Sequence, residues 1–519
     1  MDRYEILNRI KTHEEPWDIV IIGGGATGIG CAVDAAARGF DVLLLEQHDF
    51  GKGTSSRSTK LVHGGVRYLA QGNIKLVREA LKERGILYRN APHLVKKTAF
   101  IVPCYSLWQK VFYGTGLKIY DLLSGKYSFG KSRLLAATET IERLPSIKTK
   151  GLRGGVLYFD GQFDDSRLLI NLATTAQEQG ADVLNYAKVD SLIKGQAGQI
   201  AGVVFEDLES SEKLTVKAKV IINATGAFSD SIRKLSDAGA ENIITFSQGI
   251  HLVFDRKFLS RDCVLMIPKT SDGRVLFAIP WHGHLVVGTT DTPTDKAELE
   301  PKALDAEIDL ILETAGNYLS EIPKRSDILS IFVGIRPLIR SERTKKTSTL
   351  SREHLIEIDE AGLLTITGGK WTTYRKMAED TIDRAIIQAD LPSRKSATAD
   401  LKIHGYSENL SSEDLAIYGS DADGIQALID ERPELKKKLH KDLPYCEAEI
   451  VWSVTNEMAQ TAEDVLARRT RVLFLNAQAA IDIAPRVAEI VAKELGRDSE
   501  WIAAQVADFN EVAQNYKLF

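Results

Sequence analysis

The stretch Asp18-Ile-Val-Ile-Ile22, Gly23-Gly-Gly-Ala-Thr-Gly28, Ile29-Gly-Cys-Ala-Val-Asp-Ala-Ala-Ala-Arg38, with Gly39 after it, decides the fold. A short apolar run rich in β-branched residues predicts a parallel strand buried on both faces. The Gly-x-Gly-x-x-Gly turn follows at once, and the alanine-rich run after it reads as a helix stopped by glycine. A second apolar run, Val42-Leu-Leu-Leu45, ends at Glu46, 23 positions after Gly23. These are the parts of a βαβ dinucleotide-binding unit. Gly23 makes the tight turn, Gly25 lets the backbone approach a pyrophosphate, and Gly28 lets helix and strand pack closely. The helix N-terminus offers N–H groups and the positive end of its dipole to the phosphates. Glu46 stands where a carboxylate accepts hydrogen bonds from the adenosine ribose.

The rest of the chain narrows the class. At 519 residues it predicts two or three domains. A net charge of −5 argues against a dedicated nucleic-acid binder. Cys31, Cys104, Cys263 and Cys446 are scattered without a C-x-x-C, so neither a metal cluster nor a thiol redox pair is expected, and a reducing compartment is. The first residues lack the apolar core of a secretory leader. No apolar run reaches the roughly 18–20 residues of a spanning helix. The expected location is cytoplasmic, at most peripheral on the inner face of the cell membrane.

The expected architecture is α/β: a Rossmann-type domain, an antiparallel β substrate domain and a C-terminal helical domain. Residues 1–400 form the oxidoreductase region. Its nucleotide-binding pieces are about 17–90, 150–240 and 340–400, and its substrate or cap pieces about 91–149 and 241–339. Residues 401–519 are the helical domain. Helices are expected at 73–90, 164–179, 446–459 and 470–494, and strands at 183–189, 220–226 and 363–370. The alternation of apolar and polar residues from 240 to 340 predicts antiparallel strands. Gly419 to Asp430 has the outline of a calcium loop with the wrong residues at its ends, and reads as a plain turn.

The chain holds one Gly-x-Gly-x-x-Gly, whereas a reductase passing electrons from a nicotinamide to a flavin usually needs two such sites. The dinucleotide is therefore either NAD or FAD. Asn223-Ala-Thr-Gly226 and Gly368-Gly369 favour FAD, because small residues at strand ends permit further close backbone approaches along a longer cofactor.

Five motifs together carry a resemblance: Gly23–Gly28; Ser55-Ser-Arg-Ser-Thr-Lys-Leu-Val-His-Gly-Gly-Val-Arg-Tyr68; Asp160-Gly-Gln-Phe-Asp-Asp-Ser-Arg167; Gly334-Ile-Arg-Pro-Leu338; and Gly368-Gly-Lys-Trp-Thr-Thr-Tyr-Arg375. The chain resembles the FAD-dependent glycerol-3-phosphate dehydrogenases along nearly its whole length, the tail Glu447–Arg471 included. The resemblance implies oxidation of sn-glycerol 3-phosphate to dihydroxyacetone phosphate, with hydride passing from C2 to the flavin and electrons onward to a quinone. It implies FAD contacts at Gly23, Gly25, Thr27, Gly28, Glu46, Ser56, Thr59, Leu61, His63, Gly64, Gly65, Val189, Ala224, Gly226, Gly369, Lys370, Trp371 and Thr372. No metal is expected.

A phosphate dianion needs cationic donors, and Arg67, Arg336, Arg352 and Lys370, with the Tyr68 hydroxyl, are the candidates for substrate binding. Arg336 and Lys370 are also candidates for catalysis. Loss of the C2 hydroxyl proton calls for a base, and His251, in Ser247-Gln-Gly-Ile-His-Leu, matches the family's histidine; His63 is the rival. Oxygen-using relatives carry an extra segment between the Gly-Ile-Arg-Pro and Gly-Gly-Lys motifs, and here Arg336 and Lys370 stand 34 positions apart, which favours the dehydrogenase. An oxygen-using oxidase, or a flavin oxidase of this fold acting on an amine or hydroxy acid, remains the alternative, as does a nucleotide-binding protein that holds FAD structurally. Residues 94–133 set six lysines and one arginine against Asp121 and interleave them with aromatics. That pattern suits an anionic bilayer surface, and equally a lid with solvated lysines. A homodimer is left open.

Overall fold

The computed structural model describes residues 1–518 apart from 71, 197, 269, 271–273, 341–352 and 409–413, and without the side chains of Arg67 and Ala70. Two sheets organise it. In the first, of eight strands, Trp17–Ile22 lies at the centre between Val42–Leu45 and Glu212–Asn223, all parallel. Ile19 faces Val42 on one side and Val220 on the other. Asp182–Leu184 extends the sheet beyond Val42–Leu45, and Leu363–Gly368 extends it beyond Glu212–Asn223. Ile19, Val20 and Ile21 are wholly buried, which is why this strand reads as an unbroken apolar run and not as an alternation. Helices Ala26–Ala37, Asp165–Glu178 and Tyr374–Gln388 bury it.

The second sheet has ten strands and is mostly antiparallel. Its axis is Ile244–Asp255, paired with Ser330–Ile339 on one side and His284–Gly288 on the other. Val95–Cys104 and Gly154–Phe163 form its far half, so this sheet draws on segments from both sides of residue 150. The helices beyond residue 420, including Glu447–Glu457, Ala477–Leu495 and Ser499–Gln514, share an apolar core with it. Buried ion pairs tie them to the nucleotide-binding half: Asp49 accepts from Arg468 Nε at 2.6 Å and from both Nη atoms of Arg469 at 2.9 and 3.0 Å.

Several expected elements come out altered. The strand expected at 183–189 is two, Asp182–Leu184 and Ala187–Lys194, split where Tyr186 takes a positive φ of 54°. The helix expected over 470–494 breaks at Asn476, whose side chain caps Ala477–Leu495 by accepting from the Ala479 N–H. The turn expected at 419–430 is largely the helix Ala422–Glu431. The stretch 94–133 combines the strand Val95–Cys104 with the helix Leu107–Ser124, which a Ser106–Gln109 capping box starts. Among the described residues no helix is long and apolar enough to cross a membrane.

Candidate active site

A cavity of about 690 Å³ runs along the carboxyl ends of the central parallel strands and under the second sheet. Its size falls within the usual range for small-molecule and cofactor sites, roughly 300–1,000 Å³, and its position at strand ends is where open α/β sheets bind ligands. Gly23, Gly25 and Thr27 floor one end, with Glu46 and Val189 beside them. Gly28 supports that floor from behind, where a Cβ would lie 1.9 Å from the Gly23 carbonyl oxygen. Gly25 differs: a Cβ there would meet Ser55 Oγ at 3.1 Å and otherwise point into the space of the cavity. Gly25 caps the helix Ala26–Ala37 with no side-chain hydrogen bond, so that its first turn presents backbone N–H groups. This is a cradle for an anionic pyrophosphate.

Glu46 does more than line the wall. Its Oε2 accepts from the Gly24 N–H at 2.6 Å and its Oε1 from the His48 N–H at 2.8 Å, so the carboxylate also pins the glycine turn. Burial nevertheless pushes its pKa up.

The middle of the cavity is built from strand ends of small residues. Ala224 and Gly226 line one side and Gly369 to Thr372 another. Gly226 has φ +58° and no atom within 4 Å of a would-be Cβ, while Gly369 has φ +75° with Met377 Sδ 2.3 Å from that point. Only glycine fits both demands at 369. Leu61, His63 and Thr59 enter from the Gly51–Gly65 segment, which Trp371 holds by donating from Nε1 to the Ser55 carbonyl at 2.8 Å. Thr372 Oγ1 accepts from the His63 N–H at 3.2 Å.

His251, Arg336, Lys370 and Tyr68 line the same cavity. His251 and Arg336 come from neighbouring antiparallel strands, where Ser247 faces Arg336 and His251 faces Phe332. The His251 ring is 2% exposed, stacks on Phe332 at 4.6 Å between centres, and has Nε2 3.0 Å from Thr59 Oγ1. Its Nδ1 makes no hydrogen bond among the described residues. Burial first, then the Lys60 and Arg336 cations, hold its pKa well below the usual imidazole value. Arg336 donates from Nη2 to Thr289 Oγ1 at 3.0 Å and approaches Asp291 at 3.4 Å. Lys370 Nζ lies 3.8 Å from the centre of the Tyr68 ring, a cation–π contact.

Some expected residues take other roles. Ser56, Gly64 and Gly65 stand off the wall. The Ser56 carbonyl accepts from Lys60 and Arg471, the Gly64 N–H donates to the Tyr120 hydroxyl at 2.7 Å, and Gly65 packs beneath Tyr68. Arg352 and the side chain of Arg67 lie outside the described residues. Unforeseen are Ser55, whose Oγ accepts from the Ala26 N–H at 3.0 Å, and Thr289 and Asp291, which hold Arg336. Ser55 sits inside a quoted motif; Thr289 and Asp291 could be found only from the strand pairing.

A cavity lined by a phosphate cradle, by glycines and by cations with a buried imidazole fits an extended dinucleotide together with a substrate anion. The family model described as FAD dependent oxidoreductase matches residues 18–375, and that of the C-terminal domain of alpha-glycerophosphate oxidase matches residues 363–502. The chain is 40% identical over 518 residues to the mitochondrial glycerol-3-phosphate dehydrogenase of Homo sapiens, spanning 93% of this chain and 71% of that one. It is 39% identical over 550 residues to the mitochondrial enzyme of Arabidopsis thaliana, spanning 98% and 87%. The X-ray structure of glycerol-3-phosphate dehydrogenase from Bacillus halodurans, complexed with FAD, superposes with a TM-score of 0.81 at 29% identity, over 99% of this chain and 97% of that one.

Proposed function

The chain belongs to the FAD-dependent oxidoreductases and, within them, to the glycerol-3-phosphate dehydrogenases, and from that membership we propose that it oxidises sn-glycerol 3-phosphate to dihydroxyacetone phosphate. When bound, FAD supplies the acceptor for the hydride that leaves C2. The observation that carries the reading is that the glycine turn and the side chains of His251, Arg336 and Lys370 line one and the same cavity. Gly23, Gly25, Thr27 and Glu46 hold the adenosine diphosphate end; Ala224, Gly226, His63 and Gly369–Thr372 hold the rest. Arg336 and Lys370, with Tyr68, bind the phosphate dianion, and Arg67 and Arg352 complete the cation set. Charge-assisted contacts of this kind are the strong ones. His251, whose Nε2 lies 3.0 Å from Thr59 Oγ1, takes the C2 hydroxyl proton. A neutral imidazole is ready for that step, and the burial that lowers its pKa keeps it neutral.

A quinone acceptor would bring the protein to a membrane surface. What supports docking there is the helix Leu107–Ser124. Leu107, Trp108, Val111, Phe112, Ile119 and Leu122 are all exposed on it, Leu122 at 81% and Trp108 at 73%. Exposed apolar residues on this scale mark an interaction surface. Lys110 and Lys118 stand among them, and a cleft at the helix's C-terminal end is lined by Lys75, Arg78, Lys82, Lys126 and Lys376 with Glu79 and Glu83, a net positive set complementary to anionic headgroups. The inner face of a cell membrane is the location this implies.

Anaerobic mixing of the FAD-loaded protein with glycerol 3-phosphate tests the function. Bleaching of the flavin band is expected. An unchanged band, or bleaching by an amine or hydroxy acid in its place, would overturn the substrate assignment.

A further inference from the structure

Lys60 is 0% exposed, a place an ammonium occupies only when paired. All three of its donors are met: Asp165 Oδ2 at 2.7 Å, Asp165 Oδ1 at 2.9 Å and the Ser56 carbonyl at 2.7 Å. Its backbone holds φ +62°, the left-handed region that side-chain-bearing residues rarely adopt. Asp165 also accepts from the Ser58 N–H at 3.0 Å and the Ser58 hydroxyl at 2.6 Å. Arg471, from the helical domain, donates to the Ser56 carbonyl at 2.8 Å and to Asp165 Oδ1 at 3.0 Å. Ser56, Ser58 and Lys60 are thus tied to one buried carboxylate and one guanidinium. Thr59, between them, points its hydroxyl to His251 Nε2 at 3.0 Å. Lys60 Nζ also lies 5.0 Å from the centre of Phe332, the ring on which His251 stacks, and 5.3 Å from that of Phe474 in the helical domain.

We propose that Lys60 is a positioning residue for His251. With Asp165 it locks the Ser56–Lys60 turn that brings the Thr59 hydroxyl to Nε2, and its ammonium backs the Phe332 ring against which the imidazole lies. The proposal rests on the reading of His251 as the base. The charges about His251 are Lys60 and Arg336. Lys370 and His63 line the same cavity, Asp165 and Arg471 stand behind Lys60, and Asp291 stands behind Arg336. Burial and the Arg471 guanidinium bring the Lys60 pKa down to about 7. Lys60 is therefore still charged in the acid range where His251 takes a proton.

The test follows the His251 ring in the FAD-loaded protein by histidine-labelled NMR, with its signal assigned from His251→Gln. Lys60→Met removes the charge and keeps the stem, leaving Asp165 its bond to Arg471. The His251 midpoint should then rise by about 1 pH unit, the common size of an environmental shift. In stopped-flow reduction by glycerol 3-phosphate the acid limb should move upward equally, with kcat at low pH down about tenfold and KM unchanged. Lys60→Arg, keeping the charge, should restore the native midpoint. Thr59→Val replaces the hydroxyl by a methyl and should lower kcat about tenfold when measured at saturating FAD. A native midpoint and native kcat in Lys60→Met overturn the proposal; should that variant not fold, a native kcat in Thr59→Val overturns it. If the native protein is not reduced by glycerol 3-phosphate, the functional reading fails, while the titration still decides the role of Lys60.

Discussion

Replacing Gly25 and Gly28 by alanine, one at a time, separates the cofactor's space from the protein's own. At Gly28 the new methyl would lie 1.9 Å from the Gly23 carbonyl oxygen, a contact between two backbone-fixed atoms that only movement of the helix Ala26–Ala37 can relieve. Overpacking of this kind costs typically 1–3 kcal/mol and sometimes more, so the Gly28→Ala apoprotein should melt several degrees below native. At Gly25 the methyl's contact is Ser55 Oγ at 3.1 Å, and the backbone at φ −84°, ψ −178° accepts any residue. The Gly25→Ala apoprotein should therefore melt near the native temperature. Its cost falls on FAD, because the methyl takes the room of the pyrophosphate. The same 1–3 kcal/mol, now charged to binding, is about 5- to 160-fold in Kd. Differential scanning fluorimetry of the two apoproteins and fluorescence titration with FAD give both quantities. Gly25→Ala binding FAD as tightly as native would refute the placement of the pyrophosphate. A Gly28→Ala apoprotein as stable as native would refute the packing argument.

His251→Gln should slow anaerobic flavin reduction by about 10²- to 10⁴-fold with FAD retained. Because the native pKa is held low, the native acid limb should lie below the ordinary imidazole value of about 6.5 and vanish in the variant; a native profile in His251→Gln with loss in His63→Gln would transfer the role to His63. Arg336→Ala and Lys370→Ala should each lower kcat/KM for glycerol 3-phosphate by about 10- to 150-fold, from the 1.5–3 kcal/mol of a charged hydrogen bond. Turnover of glycerol should fall less, and an equal loss would remove these residues from the phosphate site. Trp108→Glu combined with Phe112→Glu should abolish sedimentation with anionic vesicles while turnover with a soluble dye acceptor stays native; undiminished sedimentation would clear the helix Leu107–Ser124 of membrane contact.

Legibility followed the range of the interactions. The strand, turn, helix and strand from Trp17 to Leu45 could be read because each piece is fixed by its own residues: apolar β-branched side chains, glycines at set offsets, alanines, then leucines. His251 and Lys370 could be read as cavity-lining because each sits in a short motif, His251 within the strand Ile244–Asp255 and Lys370 just past the strand Leu363–Gly368. Thr289 and Asp291 could not, since their contact with Arg336 depends on the pairing of separate strands in the second sheet. The Ser56 carbonyl escaped for a related reason. Its partners, Lys60 and Arg471, lie 4 and 415 positions away, and a sequence motif records only the nearer.

The interleaving of the first sheet sets an order on synthesis. Trp17–Ile22 meets Val42–Leu45 soon after it leaves the ribosome, but its other neighbour, Glu212–Asn223, comes some 200 residues later. At about 5–20 residues per second, one whole edge of a strand apolar at all but Asp18 stays open for roughly 10–40 s. Leu363–Gly368 closes on Glu212–Asn223 later still, and the Lys370 end of the cavity follows it. Until then the glycine turn is formed but the pocket beyond it has no far wall. The nascent chain should therefore need chaperone cover over that interval, and a chain released before residue 368 lacks the last strand of the nucleotide fold. Non-local closure of this kind is slow in refolding too, so recovery from denaturant should lag behind the formation of helices Ala26–Ala37 and Ile74–Asn90, whose backbone hydrogen bonds are local.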